Sequence, residues 1–266
     1  MNDNNIDTIN NKIITNELFE NIYNSLSNKI FNFALKMTGN KSIAEDIVQE
    51  TFIKVYTNYK NFKGKSSLTT WIYTIAKNLC FKYYRKNKKS SFNSIENLTN
   101  KESTSINPNQ FNEIELKSYI YQVKEGCLLG LLRCLSFYQR ISFILNILFE
   151  FSINEVSSII NKSENSTRIL IHRARNNIKT FLCNNCSLYD SKNKCKCENL
   201  VLFSLKQNWI EKYNPKVSHT SIVMELKEFK NEIFLYKSLN NYDIRQKILD
   251  ILKQNKYFIL SEKKVK

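Results

Sequence analysis

Turn-forming residues are scarce in this chain: there are four glycines and two prolines in 266 residues. Tight hairpins, Gly-rich phosphate loops and the corners of sandwiches and barrels draw on those residues. β-rich folds and P-loop enzymes are therefore disfavoured, and long helices joined by Asn-, Ser- and Lys-rich connections fit instead. Hydrophobic residues make up 42%, enough for real cores and too many for a chain disordered throughout.

Apolar spacing places the helices. Phe19, Ile22, Tyr23, Leu26, Ile30, Phe33, Ala34 and Met37 recur every three or four positions and predict a helix over residues 17–37. Gly39 follows where a left-handed residue ends a helix. Ser42 with Glu45 reads as a capping box opening a second helix, whose core stripe is Ala44, Val48, Phe52, Val55 and Tyr59. A polar loop over 61–67 holds Gly64, and a third helix over 68–86 turns Leu68, Trp71, Ile72, Ile75 and Leu79 inward. Residues 87–112 are polar, contain Pro108 and lack periodicity, as a linker would. Helical pattern resumes over 114–135, and Ser136 with Gln139 caps an apolar helix reaching Phe149. Ser152 with Glu155 caps another over 153–160. After the turn Asn161-Lys162-Ser163, a helix over 164–182 completes a helix-turn-helix pattern. Residues 221–239 and 242–254 read as two further amphipathic helices.

The expected fold class is all-α: two small helical domains joined by a polar linker, with a Cys-rich helical C-terminal extension. The expected boundaries are a disordered N-terminus over 1–15, a domain over 16–90, a linker over 91–113 and a second domain over 114–182. A Cys cluster over 183–197 and an extension of unassigned role over 198–266 follow.

Charge narrows the partners. The formal net charge is +16 with a pI near 9.4, which favours a polyanion, nucleic acid before an acidic membrane surface. The Asn, Lys, Ile, Tyr and Phe bias suggests an AT-rich genome, so part of the Lys excess is compositional. Against this basic background Glu45, Asp46, Gln49 and Glu50 share one face of the second helix. A helix N-terminus favours acidic groups through its dipole whatever their role. The loop after that helix is basic and runs into an aromatic helix that continues through Lys82, Tyr83, Tyr84, Arg85, Lys86, Lys88 and Lys89. Cations hold phosphates and rings offer stacking surfaces, a combination suited to single-stranded or melting DNA. Trp71 itself reads as a core residue. In the helix-turn-helix, Thr167, Ile171, Ala174 and Ile178 are spaced to pack inward. Asn165, Ser166, Arg168, His172, Arg173 and Arg175 then face outward, placed to reach base edges and phosphates.

These residues carry a resemblance. The run Phe62-Lys63-Gly64-Lys65-Ser66-Ser67-Leu68-Thr69-Thr70-Trp71-Ile72-Tyr73-Thr74-Ile75-Ala76-Lys77-Asn78 resembles the minus-ten recognition element of extracytoplasmic-function (ECF) sigma factors, within the sigma-70 family. The acidic run before it is similar to that family's polymerase-binding helix, so residues 19–89 resemble sigma region 2. The resemblance implies that Glu45, Asp46, Gln49 and Glu50 contact the clamp coiled coil of the largest catalytic polymerase subunit. It implies that Phe62, Lys63, Gly64, Lys65 and Ser66 surround a base flipped from the non-template strand, with Lys77, Asn78, Lys82, Arg85 and Lys86 on nearby minus-ten DNA. Residues 125–182 resemble sigma region 4, which implies minus-thirty-five contacts from Ser163, Asn165, Ser166, Arg168, His172, Arg173 and Arg175. Lys162 and Leu170 depart from the family pattern.

The implied function is non-enzymatic: a subunit that binds core RNA polymerase and promoter DNA, with an anti-sigma factor as a further partner and no cofactor required. Met1 to Lys12 is polar, with no apolar signal segment, and the longest apolar stretch, 141–153, is interrupted by Asn146 and Glu150. A cytoplasmic chain without membrane insertion is expected. The alternative is a stand-alone helix-turn-helix regulator with a Cys-based metal or redox sensor. A metal-dependent enzyme is disfavoured, since histidine occurs only at His172 and His219.

Of the seven cysteines, Cys80, Cys127 and Cys134 lie in apolar helical patterns as buried thiols, whereas Cys183, Cys186, Cys195 and Cys197 cluster. In a reducing cytosol such a cluster suggests metal more than disulfides. Four thiolates suit a structural zinc, but the Cys183-x2-Cys186-x8-Cys195-x-Cys197 spacing equally allows unliganded thiols or a redox switch.

Overall fold

The structure, a computed structural model, describes residues 14–86, 90–107, 110–214, 232–237 and 243–244. The regular secondary structure among these residues is helical, apart from one isolated β-bridge between Cys186 and Cys195. The expected helices over 221–239 and 242–254 lie largely outside the described residues. Contacts divide the chain into two units.

The first unit is built on α1 (Asn16–Thr38), α2 (Lys41–Asn58) and α3 (Leu68–Lys86). Ile14 is buried and Thr15 Oγ1 accepts from Leu18 N, so these two residues belong to the fold and not to the disordered N-terminus expected over 1–15. Every residue of the expected α1 stripe is buried. Gly39 takes φ 69° and donates its N–H to Leu35 O at 2.7 Å, the left-handed C-cap anticipated for it. The next helix starts two residues earlier than the Ser42–Glu45 box implied. Asn40 is extended, and its Oδ1 accepts from Ile43 N at 3.0 Å. The chain leaves the left-handed Gly39 already extended at Asn40, which leaves Ser42 inside the first turn.

Aromatic rings fix how α1 and α2 meet. The Phe52 ring stands edge-on to Tyr23 at 4.9 Å and to Phe19 at 6.2 Å. Ala44, Val48 and Val55 complete the buried stripe, while Tyr59, in a short 3-10 turn, is half-buried. On α3 the buried residues are Thr70, Ile72, Tyr73, Ala76, Leu79 and Cys80. Tyr73 meets Phe33 edge-on at 5.4 Å. Leu68, Trp71 and Ile75 are only half-buried, so the inward face of α3 is rotated from the expected one. α7 (Ile153–Ile160) also groups mainly with this unit and buries Val156, Ser157, Ile159 and Ile160.

The second unit holds α4 (Phe92–Glu102), α5 (Glu113–Cys134), α6 (Phe137–Phe143), α8 (Glu164–Asn185), α9 (Val201–Lys206) and α10 (Glu232–Lys237). The expected linker over 91–113 therefore contains a helix. Ser91 caps α4 by accepting from Ser94 N, and Phe92 packs on Phe181 of α8 at 5.7 Å. The capping box at Ser136 forms in both directions. The helix it opens widens after Phe143 into a π-turn over Ile144–Leu148, with Phe149 N donating to Ile144 O. Glu150 then takes φ 60° and ends it. Residues 198–214 fold back on α5. Leu200, Val201 and Ile210 pack with Tyr119, Ile120 and Val123, and the Gln122 side chain exchanges two hydrogen bonds with the Glu211 backbone. Tyr236 of α10 is buried, its hydroxyl donating to Leu128 O at 3.0 Å and its ring edge-on to Phe143.

The cap assignment is testable. Asn40→Ala removes the acceptor for Ile43 N and should cost about 1 kcal/mol, whereas Ser42→Ala should stay within about 0.5 kcal/mol of wild type. Urea unfolding of the two variants measures the difference, and equal losses would restore the Ser42 box.

Candidate functional site

On α2 the buried stripe leaves the opposite side to solvent. Asp46 and Glu50 are exposed, and Glu45 and Gln49 are half-buried beside them. Glu50 and Lys54 pair at 3.6 Å with both side chains about half exposed. An exposed i,i+4 pair contributes little to stability, so it leaves the ridge open to a partner.

The loop after α2 is shaped by rings. Phe62 is half-buried and lies between Tyr59, at 6.4 Å, and Trp71, at 5.3 Å. Trp71 is therefore a platform for the loop and not the core residue expected. Gly64 takes φ 68°, a conformation that favours glycine, and a side chain there would meet open space. The turn puts Lys63 and Lys65 into solvent, with Ser66 half-buried. Ser67 then caps α3, its Oγ accepting from Thr70 N at 3.1 Å. Along α3, Asn78, Lys82, Arg85 and Lys86 are exposed. Lys77 is half-buried, and desolvation pulls its ammonium pKa below the ordinary lysine value. A phosphate beside it would favour the charged form again. The loop and α3 thus present cations around a small aromatic stack, chemistry suited to phosphates and unpaired bases. Lys88 and Lys89 lie outside the described residues.

The turn before α8 places Asn161 at φ 54°, a value asparagine tolerates. On α8, Thr167, Ile171, Ala174 and Ile178 are buried, while Asn165, Ser166, Arg168, His172, Arg173 and Arg175 are exposed, as is Ser163 in the turn. One contact was missed in sequence: Glu164 Oε2 accepts from Arg168 Nη2 at 2.9 Å. Their i,i+4 spacing was the available signal. His172 lies 3.4 Å from Asn176 Nδ2 on the same exposed face.

The cysteines rearrange. Cys80 and Cys134 are buried as expected. Cys183, on α8, does not line the cavity that the other clustered thiols share, whereas Cys127 does. Cys127, Cys186, Cys195 and Cys197 line one cavity of about 20 Å³. Desolvation raises all four thiol pKa values, and for Cys127 and Cys197 the neighbouring thiols raise them further.

Comparison with known proteins settles the family. Sigma-70 region 2 matches residues 22–90, and Sigma-70, region 4 matches residues 125–178. The RNA polymerase sigma factor YlaC of Bacillus subtilis is 30% identical over 163 residues, 60% of this chain and 89% of that protein. The ECF RNA polymerase sigma factor SigM of the same organism is 29% identical over 165 residues, 61% of this chain and 93% of that protein. This chain belongs to the sigma-70 family, in its ECF branch. Among solved structures, the sigma factor RpoE in complex with the anti-sigma factor NepR, from Bartonella quintana, aligns at TM-score 0.44 with 24% identity, covering 62% of this chain and 96% of that one. The acidic α2 ridge and the loop lie within the region 2 match, and the exposed face of α8 within the region 4 match. No helix among the described residues of this ECF factor is long and apolar enough to cross a membrane.

The Glu164–Arg168 pair gives a prediction. Glu164→Gln should leave thermal stability within about 0.5 kcal/mol. It should also tighten binding to duplex DNA, because it removes a negative charge from the guanidinium's side. Fluorescence anisotropy checks the second effect; unchanged affinity would mean that Arg168 does not approach DNA.

Proposed function

We propose that this ECF sigma factor docks on core RNA polymerase through the α2 ridge of Glu45, Asp46, Gln49 and Glu50 and selects promoters with two separate DNA-binding surfaces. Phe62, Lys63, Gly64, Lys65 and Ser66 take up an unpaired base of the minus-ten element. Lys77, Asn78, Lys82, Arg85 and Lys86 hold the adjoining phosphates. Ser163, Asn165, Ser166, Arg168, His172, Arg173 and Arg175 read the upstream duplex. The role is non-catalytic and cytoplasmic, and an anti-sigma factor would act by masking one of these surfaces.

The observation that carries this reading is the pairing of opposite charges on consecutive elements of one helical unit. Asp46 and Glu50 are exposed on α2, and Lys63 and Lys65 are exposed on the loop that follows. A stand-alone helix-turn-helix regulator has no use for the acidic ridge or for a cationic aromatic loop.

Reversing the ridge tests the docking. Asp46→Lys with Glu50→Lys changes exposed charge only, so helix content should hold while affinity for core polymerase falls by at least tenfold. Wild-type affinity in the double variant, measured by surface-immobilised core binding, would remove α2 from the interface. The DNA surfaces should separate kinetically. Arg173→Ala should weaken upstream duplex binding and reduce its salt slope by about one. Lys63→Ala with Lys65→Ala should slow open-complex formation on polymerase and leave upstream binding nearly intact. A shared phenotype in promoter-melting assays would contradict the division.

A further inference from the structure

The cavity among the cysteines belongs to neither DNA surface and calls for its own account. Its thiols come from two places: Cys127 lies on α5, while Cys186, Cys195 and Cys197 lie in the segment that follows α8. The segment is folded so as to bring its thiols together. Cys186 and Cys195 face each other in a β-bridge, and Ser187 N donates to Cys195 O at 3.1 Å. The Asn193 side-chain amide donates to the carbonyls of Cys183 and Cys186 at 2.9 and 3.1 Å, closing the loop between the bridged residues. The backbone N–H groups of Leu188 and Tyr189 are directed at the Cys186 sulfur, and the Thr99 hydroxyl meets Cys195. Lys124, 1% exposed, lines the same cavity and brings a positive charge beside it.

We propose that Cys127, Cys186, Cys195 and Cys197 form a structural tetrathiolate zinc site. The ion ties the end of α8 to α5. Soft sulfur donors select zinc over the oxygen-seeking cations, and the cavity has room for one particle of water size. No three His, Cys, Asp or Glu side chains among the described residues are already arranged to hold a metal ion. Closure therefore requires the four sulfurs to shift toward one another, within a backbone that the bridge and Asn193 already hold. Zn²⁺ displaces the thiol protons, about four per ion, and the resulting centre has a net negative charge that Lys124 offsets. Cys183, the ligand that chain spacing alone nominates, is left out because it does not line the cavity.

Full-length protein loaded with zinc chloride under reductant and then desalted tests the assignment. Wild type and Cys183→Ser should each keep about one zinc per chain by elemental analysis, and Cys127→Ser should fall below about a fifth of that. Because Cys127 is on a core helix, Cys195→Ser in the loop is the second variant, and it should lose zinc to the same extent while keeping helix content. Cobalt chloride in place of zinc should give tetrahedral thiolate bands in wild type and Cys183→Ser, and none in Cys127→Ser. Zinc-free wild type with freely titratable thiols would overturn the proposal. So would zinc lost in Cys183→Ser and kept in Cys127→Ser.

Discussion

The rotation of α2 about its own axis decides what this protein can show to a partner. That rotation is set by Phe52, whose ring stands edge-on to Phe19 and Tyr23 of α1. A helix turns its side chains by about 100° per residue, so a one-residue slip of the stripe would swing Asp46 and Glu50 toward α1. Removing a ring of this size from a core typically costs about 3–5 kcal/mol. The penalty for slippage is thus a large fraction of a small domain's stability. The aromatic wedge behind the acidic ridge favours the register in which that ridge is exposed. The same economy of position applies to the loop: Trp71, half-buried at the start of α3, supports Phe62 and leaves the lysines to solvent.

α8 combines several roles in one helix. Its buried stripe, Thr167 to Leu182, packs within the second unit, and its exposed side carries the residues assigned to duplex DNA. Its C-terminal end leads directly into the bridged Cys segment. An ion holding Cys186 and Cys127 would restrain the helix at the end away from its base-reading residues. Such a brace fixes direction without entering the DNA surface.

Much of this was legible in the sequence where one signal was strong. α3 spans the expected residues even though its inward face is rotated from the expected one, and α1 follows its stripe throughout. The outward set on α8 could be read because the inward four repeat without interruption. The failures have physical causes. Asn40 and Ser42 are both good caps, and only the extended backbone at Asn40 selects between them. α4 has a weak apolar pattern, with Thr99 its one fully buried residue, and depends on contacts such as Phe92 against Phe181. Short helices of that kind owe their stability to tertiary packing, which chain order does not record. The place of Cys127 beside the clustered thiols is likewise a product of how residues 198–214 fold back on α5.

As a sigma-70 family member, this chain works as part of polymerase and not as a DNA binder in its own right. The most direct measurement is transcription from fragmented genomic DNA by purified core polymerase, with and without the chain, with RNA 5′ ends mapped. The expected result is a set of discrete start sites only when the chain is present, sharing sequence elements near minus ten and minus thirty-five. Tight, sequence-specific duplex binding by the chain alone, with no new start sites on core polymerase, would contradict it.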